Sequence, residues 1–208
     1  MDGEVDFNAH AETYTADPHV SQFGQLACDN LNAEFPSIVP VGSGTCALDF
    51  GTGGGNVAFR LSSQGTGTVV ALDPAENMIK VVKRQISEQQ IQGVTPFLGT
   101  CDEYSSACSR VEDEAMPKAF DLITASSVLG FVNDKVGTLK CLGKMLRGSG
   151  SHIVHWDWLA NNDDESSGGF TLEGVRKLHA DCGLDTVFSD VCFTFMGMDV
   201  VLGIAKRV

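Results

Sequence analysis

The segment Ala47-Leu-Asp-Phe-Gly-Thr-Gly-Gly-Gly-Asn-Val57 constrains this chain more than any other stretch. An apolar run passes into a turn of glycines and then into a helical pattern, so the backbone must turn sharply where Cβ atoms would obstruct a ligand. Asp49, followed by glycines at 51, 53 and 55, spells Asp-x-Gly-x-Gly-x-Gly. An acid beside a bare backbone surface suits a cationic molecule that carries a nucleoside. Taken alone, the segment is equally compatible with a glycine-rich turn that holds nothing.

Spacing separates two cofactors. A dinucleotide fingerprint, Gly-x-Gly-x-x-Gly, beginning at Gly51 would need glycine at 56, where Asn56 stands; beginning at Gly53 it meets Ala58 and starts two residues late. A pyrophosphate on a helix N-terminus also gains nothing from a carboxylate just before the glycines. S-adenosylmethionine has no phosphate and carries a sulfonium and an α-amino group, so an acid there is favourable. Downstream, Thr68-Val-Val-Ala-Leu-Asp73 reads as a second buried strand ending in an acid 20 residues beyond Gly53. An acid at that tip can accept both hydroxyls of a ribose. It can also cap the following helix, with Pro74 in the first turn, and the two roles are compatible.

The whole chain alternates strand and helix. Apolar periodicity gives helices at 19–33, 54–63, 75–90, 103–116, 134–147 and 171–182, and strands at 46–50, 68–73, 94–98, 120–125 and 151–158. Units of this length imply right-handed crossovers and a parallel, doubly wound sheet. The ending breaks the pattern. Two apolar runs, 186–195 and 199–205, are split only by Met196-Gly-Met198, which leaves room for an antiparallel hairpin at the sheet edge and none for a crossover helix. The expectation is a Rossmann-like α/β fold, with a mostly parallel seven-stranded sheet and a C-terminal hairpin.

Composition bounds the function. The 208 residues, 43% of them hydrophobic, show no linker or second compositional regime, so one domain is expected over 1–208, with 1–44 a helical segment covering the site and 45–208 the core. A net charge of −13 disfavours nucleic acid and anionic lipid as partners. No apolar run of about 18 residues suggests a membrane span, and Met-Asp-Gly-Glu-Val-Asp lacks a basic signal-peptide start, so a cytoplasmic protein is expected. The seven cysteines form no Cys-x-x-Cys pair, the five histidines are scattered, and the run Glu112-Asp-Glu114 reads as a solvated face; no metal site is expected.

Taken in order, Leu48-Asp-Phe-Gly-Thr-Gly-Gly-Gly55, Leu72-Asp-Pro-Ala-Glu-Asn-Met78, Gly99-Thr-Cys-Asp102, Phe120-Asp-Leu-Ile-Thr-Ala-Ser-Ser127 and the strand ending His155-Trp-Asp157 resemble the class I S-adenosylmethionine-dependent methyltransferases. Within that class the chain is similar to the small-molecule group of ubiquinone and menaquinone biosynthesis methyltransferases, from about residue 7 to the end. The resemblance implies that Gly51, Gly53 and Gly55 line the methionyl end of S-adenosylmethionine, with Asp49 near its amino group. Asp73, followed by Pro74, would hold the ribose, and Met78 would pack on adenine, although its helical spacing also fits a core position. Cys101 and Asp102 lie in the loop that brackets adenine; Thr100 stands where the family often has an acid. By the same resemblance Ser126 would meet the amino acid moiety, and Tyr14, in Phe7-Asn-Ala-His-Ala-Glu-Thr-Tyr14, would close the pocket or serve as simple packing.

Methyl transfer from an activated sulfonium needs alignment and exclusion of water more than acid–base help. If a base acts, His155 is the candidate, near the carboxyl end of the fifth strand, with Asp157 as a second and a structural histidine as the alternative role. Trp156 and Trp158 offer an aromatic pocket. Where relatives often carry a histidine pair, this chain has Gly130-Phe131, an apolar wall without a base. The segment 159–169 is short, acidic and rich in Gly and Ser, so the pocket is expected to be open or completed by a second copy in a homodimer. The expected activity is methyl transfer to a small organic molecule, releasing S-adenosylhomocysteine. The alternatives are a catalytically inactive methyltransferase-like binding or scaffold protein and, third, a nicotinamide-dependent oxidoreductase.

Overall fold

The computed structural model describes residues 6–110, 116–160 and 169–207. The acidic run 112–114, most of the segment 159–169 and the first five residues lie outside the described residues. Seven strands, β1 (Gly42–Phe50), β2 (Thr66–Asp73), β3 (Val94–Leu98), β4 (Leu122–Ser126), β5 (His152–Trp158), β6 (Leu184–Phe195) and β7 (Met198–Arg207), form one sheet in the order β3-β2-β1-β4-β5-β7-β6. The first five run parallel, and β7 is antiparallel to both β5 and β6. The reversal of strand order between β1 and β4 opens a crevice at the carboxyl ends of the strands, where ligands of such sheets collect.

Period-two alternation buries both faces of the central strands. On one face Leu48, Val70, Ile123 and Ile153 pack with α5 (Cys101–Arg110), α6 (Lys135–Lys144) and α7 (Leu172–Asp181). On the other, Ala47, Val69, Leu122 and Val154 pack with α2 (Pro18–Glu34), α3 (Asn56–Ser63) and Val82 of α4 (Glu76–Gln89). Two-sided burial is why the strands read as nearly continuous apolar runs. Among the described residues no helix is long and apolar enough to cross a membrane.

Boundaries depart from the periodicity where backbone pairing, not side chains, holds the element. β1 begins at Gly42, four residues before the apolar run, because Gly42 pairs with Thr66 across a bulge. The described part of α5 ends at Arg110; residues 111–115 of the expected helix lie outside the described residues, and Met116 is not helical. A further helix, α1 (Ala11–Ala16), has too few turns to show a period; a bidentate pair from Arg84 to Glu12 at 2.7 and 2.8 Å docks it on α4. The N-terminus of α4 is capped from afar, since Asn8 Oδ1 accepts from Asn77 N at 2.8 Å. Pro74 therefore precedes the helix, whose N-cap is Ala75, and does not sit in its first turn.

Candidate active site

At the carboxyl ends of β1, β2 and β4 the chain encloses two adjoining cavities of about 300 and 740 Å³, within the range of small-molecule sites. Phe7, Tyr14, Gly51, Gly53, Ser126, Ser127 and Phe131 line both. The larger continues along Asp73, Pro74, Ala75 and Met78; the smaller runs under the start of α2 toward Trp158 and the β6–β7 turn.

The glycines turn out to serve different purposes. Gly51, Gly53 and Gly55 all have positive φ, at 65°, 52° and 87°, a region that favours glycine. A Cβ on Gly51 would lie 2.3 Å from Val128 Cγ2 and one on Gly55 2.6 Å from the Phe59 ring, so protein packing forbids both. At Gly53 the nearest atom is Tyr14 Cε1 at 3.7 Å, so a side chain there would enter the cleft itself.

Two buried carboxylates flank this loop. Asp49 is 2% exposed; its Oδ2 accepts from Thr52 Oγ1 at 2.6 Å and its Oδ1 from Thr124 Oγ1 at 2.8 Å. Burial dominates over those hydrogen bonds and pushes its pKa up to about 6. Asp73 Oδ2 accepts from Gly53 N at 2.9 Å and its Oδ1 from Ala75 N at 2.8 Å, while burial raises its carboxyl above the ordinary value. Asp73 thus pins the glycine loop to the tip of β2. Each of its oxygens keeps a lone pair for a further donor.

Of the other residues singled out in the sequence, Tyr14, Pro74, Met78 and Ser126 line the cleft, and desolvation, with the nearby Asp73 and Asp17 charges, raises the Tyr14 hydroxyl. Cys101 and Asp102 are not among the lining residues. Cys101 is packed in the core, and its thiol, the Asp102 carboxylate and the Cys141 thiol of α6 have ligand atoms within 4.8 Å of one another, a grouping that a separation of 40 residues conceals. His155 and Asp157 are also absent from the cleft. His155 is wholly buried, its Nδ1 2.7 Å from Asp157 Oδ2 and its Nε2 2.9 Å from His179 Nε2, while His179 Nδ1 meets Thr186 Oγ1 at 3.0 Å. This closed chain joins β5, α7 and β6; burial and the adjacent His155 hold His179 down to about 3. Residues that the sequence reading passed over line the smaller cavity: His19, Val20, Phe23, Ser127, Phe195, Met196 and Met198. Their separation along the chain left no local pattern to find.

Residues 48–154, about half of the chain, match the methyltransferase domain family. The chain belongs to that family. Among curated relatives, a ubiquinone biosynthesis O-methyltransferase from Neisseria meningitidis is 28% identical over 109 residues, 51% of this chain and 42% of that one. A malonyl-[acyl-carrier protein] O-methyltransferase from Priestia megaterium is 25% identical over 151 residues, 70% of this chain and 47% of that one. The chain thus spans less than half the length of these relatives. A SAM-dependent methyltransferase from Aquifex aeolicus superposes with a TM-score of 0.72 at 16% identity, covering 97% of this chain and 98% of that one. Magnesium protoporphyrin IX methyltransferase from Synechocystis with bound SAM gives 0.63 at 14% identity, covering 100% and 87%. These likenesses establish the methyltransferase fold.

The donor set fits S-adenosylmethionine. Two desolvated carboxylates gain from a cation and repel a pyrophosphate, and among the described residues no lysine or arginine lines either cavity. The raised Asp49 gives this fit a sign in pH. Its folded pKa exceeds the ordinary 3.8, so its contribution to stability is fully present below 3.8 and is lost as pH rises through about 6, a cost of roughly 3 kcal/mol at neutral pH. A cation beside Asp49 recovers that energy only when the carboxylate is ionised. S-adenosylhomocysteine affinity is therefore expected to be level above pH 6 and to fall up to about tenfold per unit below it, with uptake of a proton on release. Calorimetry in buffers of different ionisation enthalpy reads both; a level affinity from pH 5 to 8 would separate Asp49 from the ammonium.

Proposed function

We propose that this methyltransferase-family chain binds S-adenosylmethionine in the cleft and transfers its methyl group to a small organic molecule. The observation that carries this reading is the pair of buried acids, Asp49 and Asp73, on either side of a glycine loop at the switch point of the sheet. In this reading the bound sulfonium supplies an already activated methyl group. Asp49 holds the amino group, and the backbone at Gly51 and Gly53 lies against the methionyl chain. Asp73 receives the ribose hydroxyls, and Pro74 and Met78 give adenine an apolar surface. Tyr14 and Phe7, whose rings meet edge to face at 5.8 Å, cover the cleft and exclude water from it.

The names of the curated relatives place their own methyl groups on oxygen, which supports an oxygen acceptor here. We take 1–208 as one domain in which residues 1–44 cover the site, acting in the cytoplasm on a small molecule and not on nucleic acid. The wide mouth of the cleft is compatible with completion by a second copy. Parallel calorimetric titration with S-adenosylmethionine, S-adenosylhomocysteine and NAD tests the reading. Micromolar binding of the first two without NAD is the expected result; binding of NAD alone, or of none, would overturn it.

A further inference from the structure

The smaller cavity has features that the cofactor does not use. Its far end is a cluster of rings: Phe23 lies 5.2 Å from Trp158 and 5.6 Å from Phe195, and Trp158 lies 6.4 Å from Phe195 between centroids. The Trp158 indole is fixed, since its Nε1 donates to Ser127 Oγ at 3.1 Å. At the mouth, Met196 and Met198 flank the β6–β7 turn and remain largely exposed, as does Phe131, although all three line the cavity. Rigid aromatic faces with thioethers at the rim suit a planar apolar molecule that reaches past the opening. With no lysine or arginine among the described residues that line the cavity, a carboxylate or phosphate on that molecule would meet no fixed cation there.

One side chain in this lining pairs an imidazole with a carboxylate. His19, in the first turn of α2, stands edge-on to Phe195 with centroids 6.3 Å apart, and its Nδ1 lies 2.9 Å from Asp17 Oδ1. A carboxylate at Nδ1 selects the tautomer that carries its proton there and leaves the Nε2 lone pair as the acceptor. The same Asp17 oxygen also accepts from His19 N at 2.9 Å, so the ring and the helix start are held as one unit. Asp49, which lines this cavity while Asp17 stands behind the ring, has both oxygens engaged by threonines.

We propose that the far end of the smaller cavity, beyond Asp49, is the acceptor subsite, that it takes a neutral, planar molecule bearing an aromatic hydroxyl, and that His19, oriented by Asp17, removes the hydroxyl proton. The proposal rests on the methyl-transfer reading above. An aromatic hydroxyl is the acceptor that most needs this help, because a thiol ionises readily in water and an amine attacks as its free base. As the acceptor oxygen bonds to the methyl carbon, the carbon–sulfur bond breaks and its electron pair stays on sulfur as a neutral thioether. The hydroxyl proton passes to His19 Nε2, the imidazolium is balanced by Asp17, and the proton leaves to solvent through the open mouth.

The test uses the full chain with 2-naphthol and 2-naphthalenethiol as acceptors at pH 8, following S-adenosylhomocysteine release, with its affinity measured separately for every variant. Wild type is expected to methylate both. His19→Gln should lower kcat on 2-naphthol by about a hundredfold or more, the scale of general-base catalysis, with KM and S-adenosylhomocysteine affinity nearly unchanged and turnover of the thiol largely kept. Asp17→Asn, which retains a good helix cap, should lose less, about tenfold, on 2-naphthol alone. Equal losses on both acceptors, or no loss, would overturn the role of His19. A wild-type protein that binds S-adenosylhomocysteine but leaves 2-naphthol unmethylated would overturn the acceptor class. Failure to bind S-adenosylhomocysteine at all would overturn the underlying reading instead.

Discussion

Asp73→Ala is expected to weaken S-adenosylhomocysteine binding by at least a hundredfold in a protein that still folds. The wild-type carboxylate already holds Gly53 N and Ala75 N, so it sets the position of the glycine loop before any ligand arrives. In the proposed complex its remaining lone pairs take the ribose hydroxyls. Charge-assisted hydrogen bonds of this kind contribute about 1.5–3 kcal/mol each, so losing two costs roughly 3 kcal/mol or more. Folding is affected less, because burial already raises the Asp73 carboxyl and removing it also removes that desolvation cost. Asp73→Asn, which keeps one acceptor oxygen, should lose about tenfold. Calorimetric titration distinguishes the two, and an unchanged affinity in folded Asp73→Ala would take this residue out of the cofactor site.

Gly203→Ala is expected to cost a large share of the folding stability. Gly203 on β7 pairs with His155 on β5, and a Cβ there would lie 2.1 Å from His155 Nε2 and 2.5 Å from Cε1. The ring has no room to retreat, since Asp157 holds one nitrogen and His179 the other, and Thr186 fixes His179 in turn. Overpacking alone costs about 1–3 kcal/mol, and rupture of a buried polar chain adds to it, so a loss of about 3–5 kcal/mol is expected. That is a large part of the 5–15 kcal/mol typical of a whole domain. Denaturant unfolding of Gly203→Ala beside Gly148→Ala, whose Cβ would meet nothing within 4 Å, isolates the clash from the general effect of removing a glycine. Equal midpoints for the two would show that the histidine chain rearranges without cost.

The fate of His155 shows where reading a sequence stops. Its position near the end of β5 is visible from the pattern, and the spacing to Asp157 puts both on one face of the strand. Whether that face opens on the cleft or on a covering helix depends on α7, which arrives from residues 172–181 and supplies His179. A strand pattern states that a residue is buried but not what buries it. His19 is the converse case. At the first residue of the expected helix 19–33, off its apolar face, it looks like a solvent residue, and only the docking of α2 beside the β6–β7 turn brings it to Phe195 and the cleft.

What the sequence determined by itself is therefore what short-range physics controls. The alternating 3.6 and 2.0 periods specify the elements, the glycines at 51, 53 and 55 specify a left-handed turn, and Asp49 and Asp73 fall at strand tips because the strands end there. The tertiary structure alone decided the partners. Asn8 caps a helix 69 residues away, Val128 forbids a side chain on Gly51, and Cys101 faces Cys141 instead of the cleft. Contacts between distant segments carry no period and no spacing, since each is made only when two independently patterned surfaces meet, and the aromatic end of this cleft, where α2, Trp158 and the β6–β7 turn come together, is assembled from such contacts.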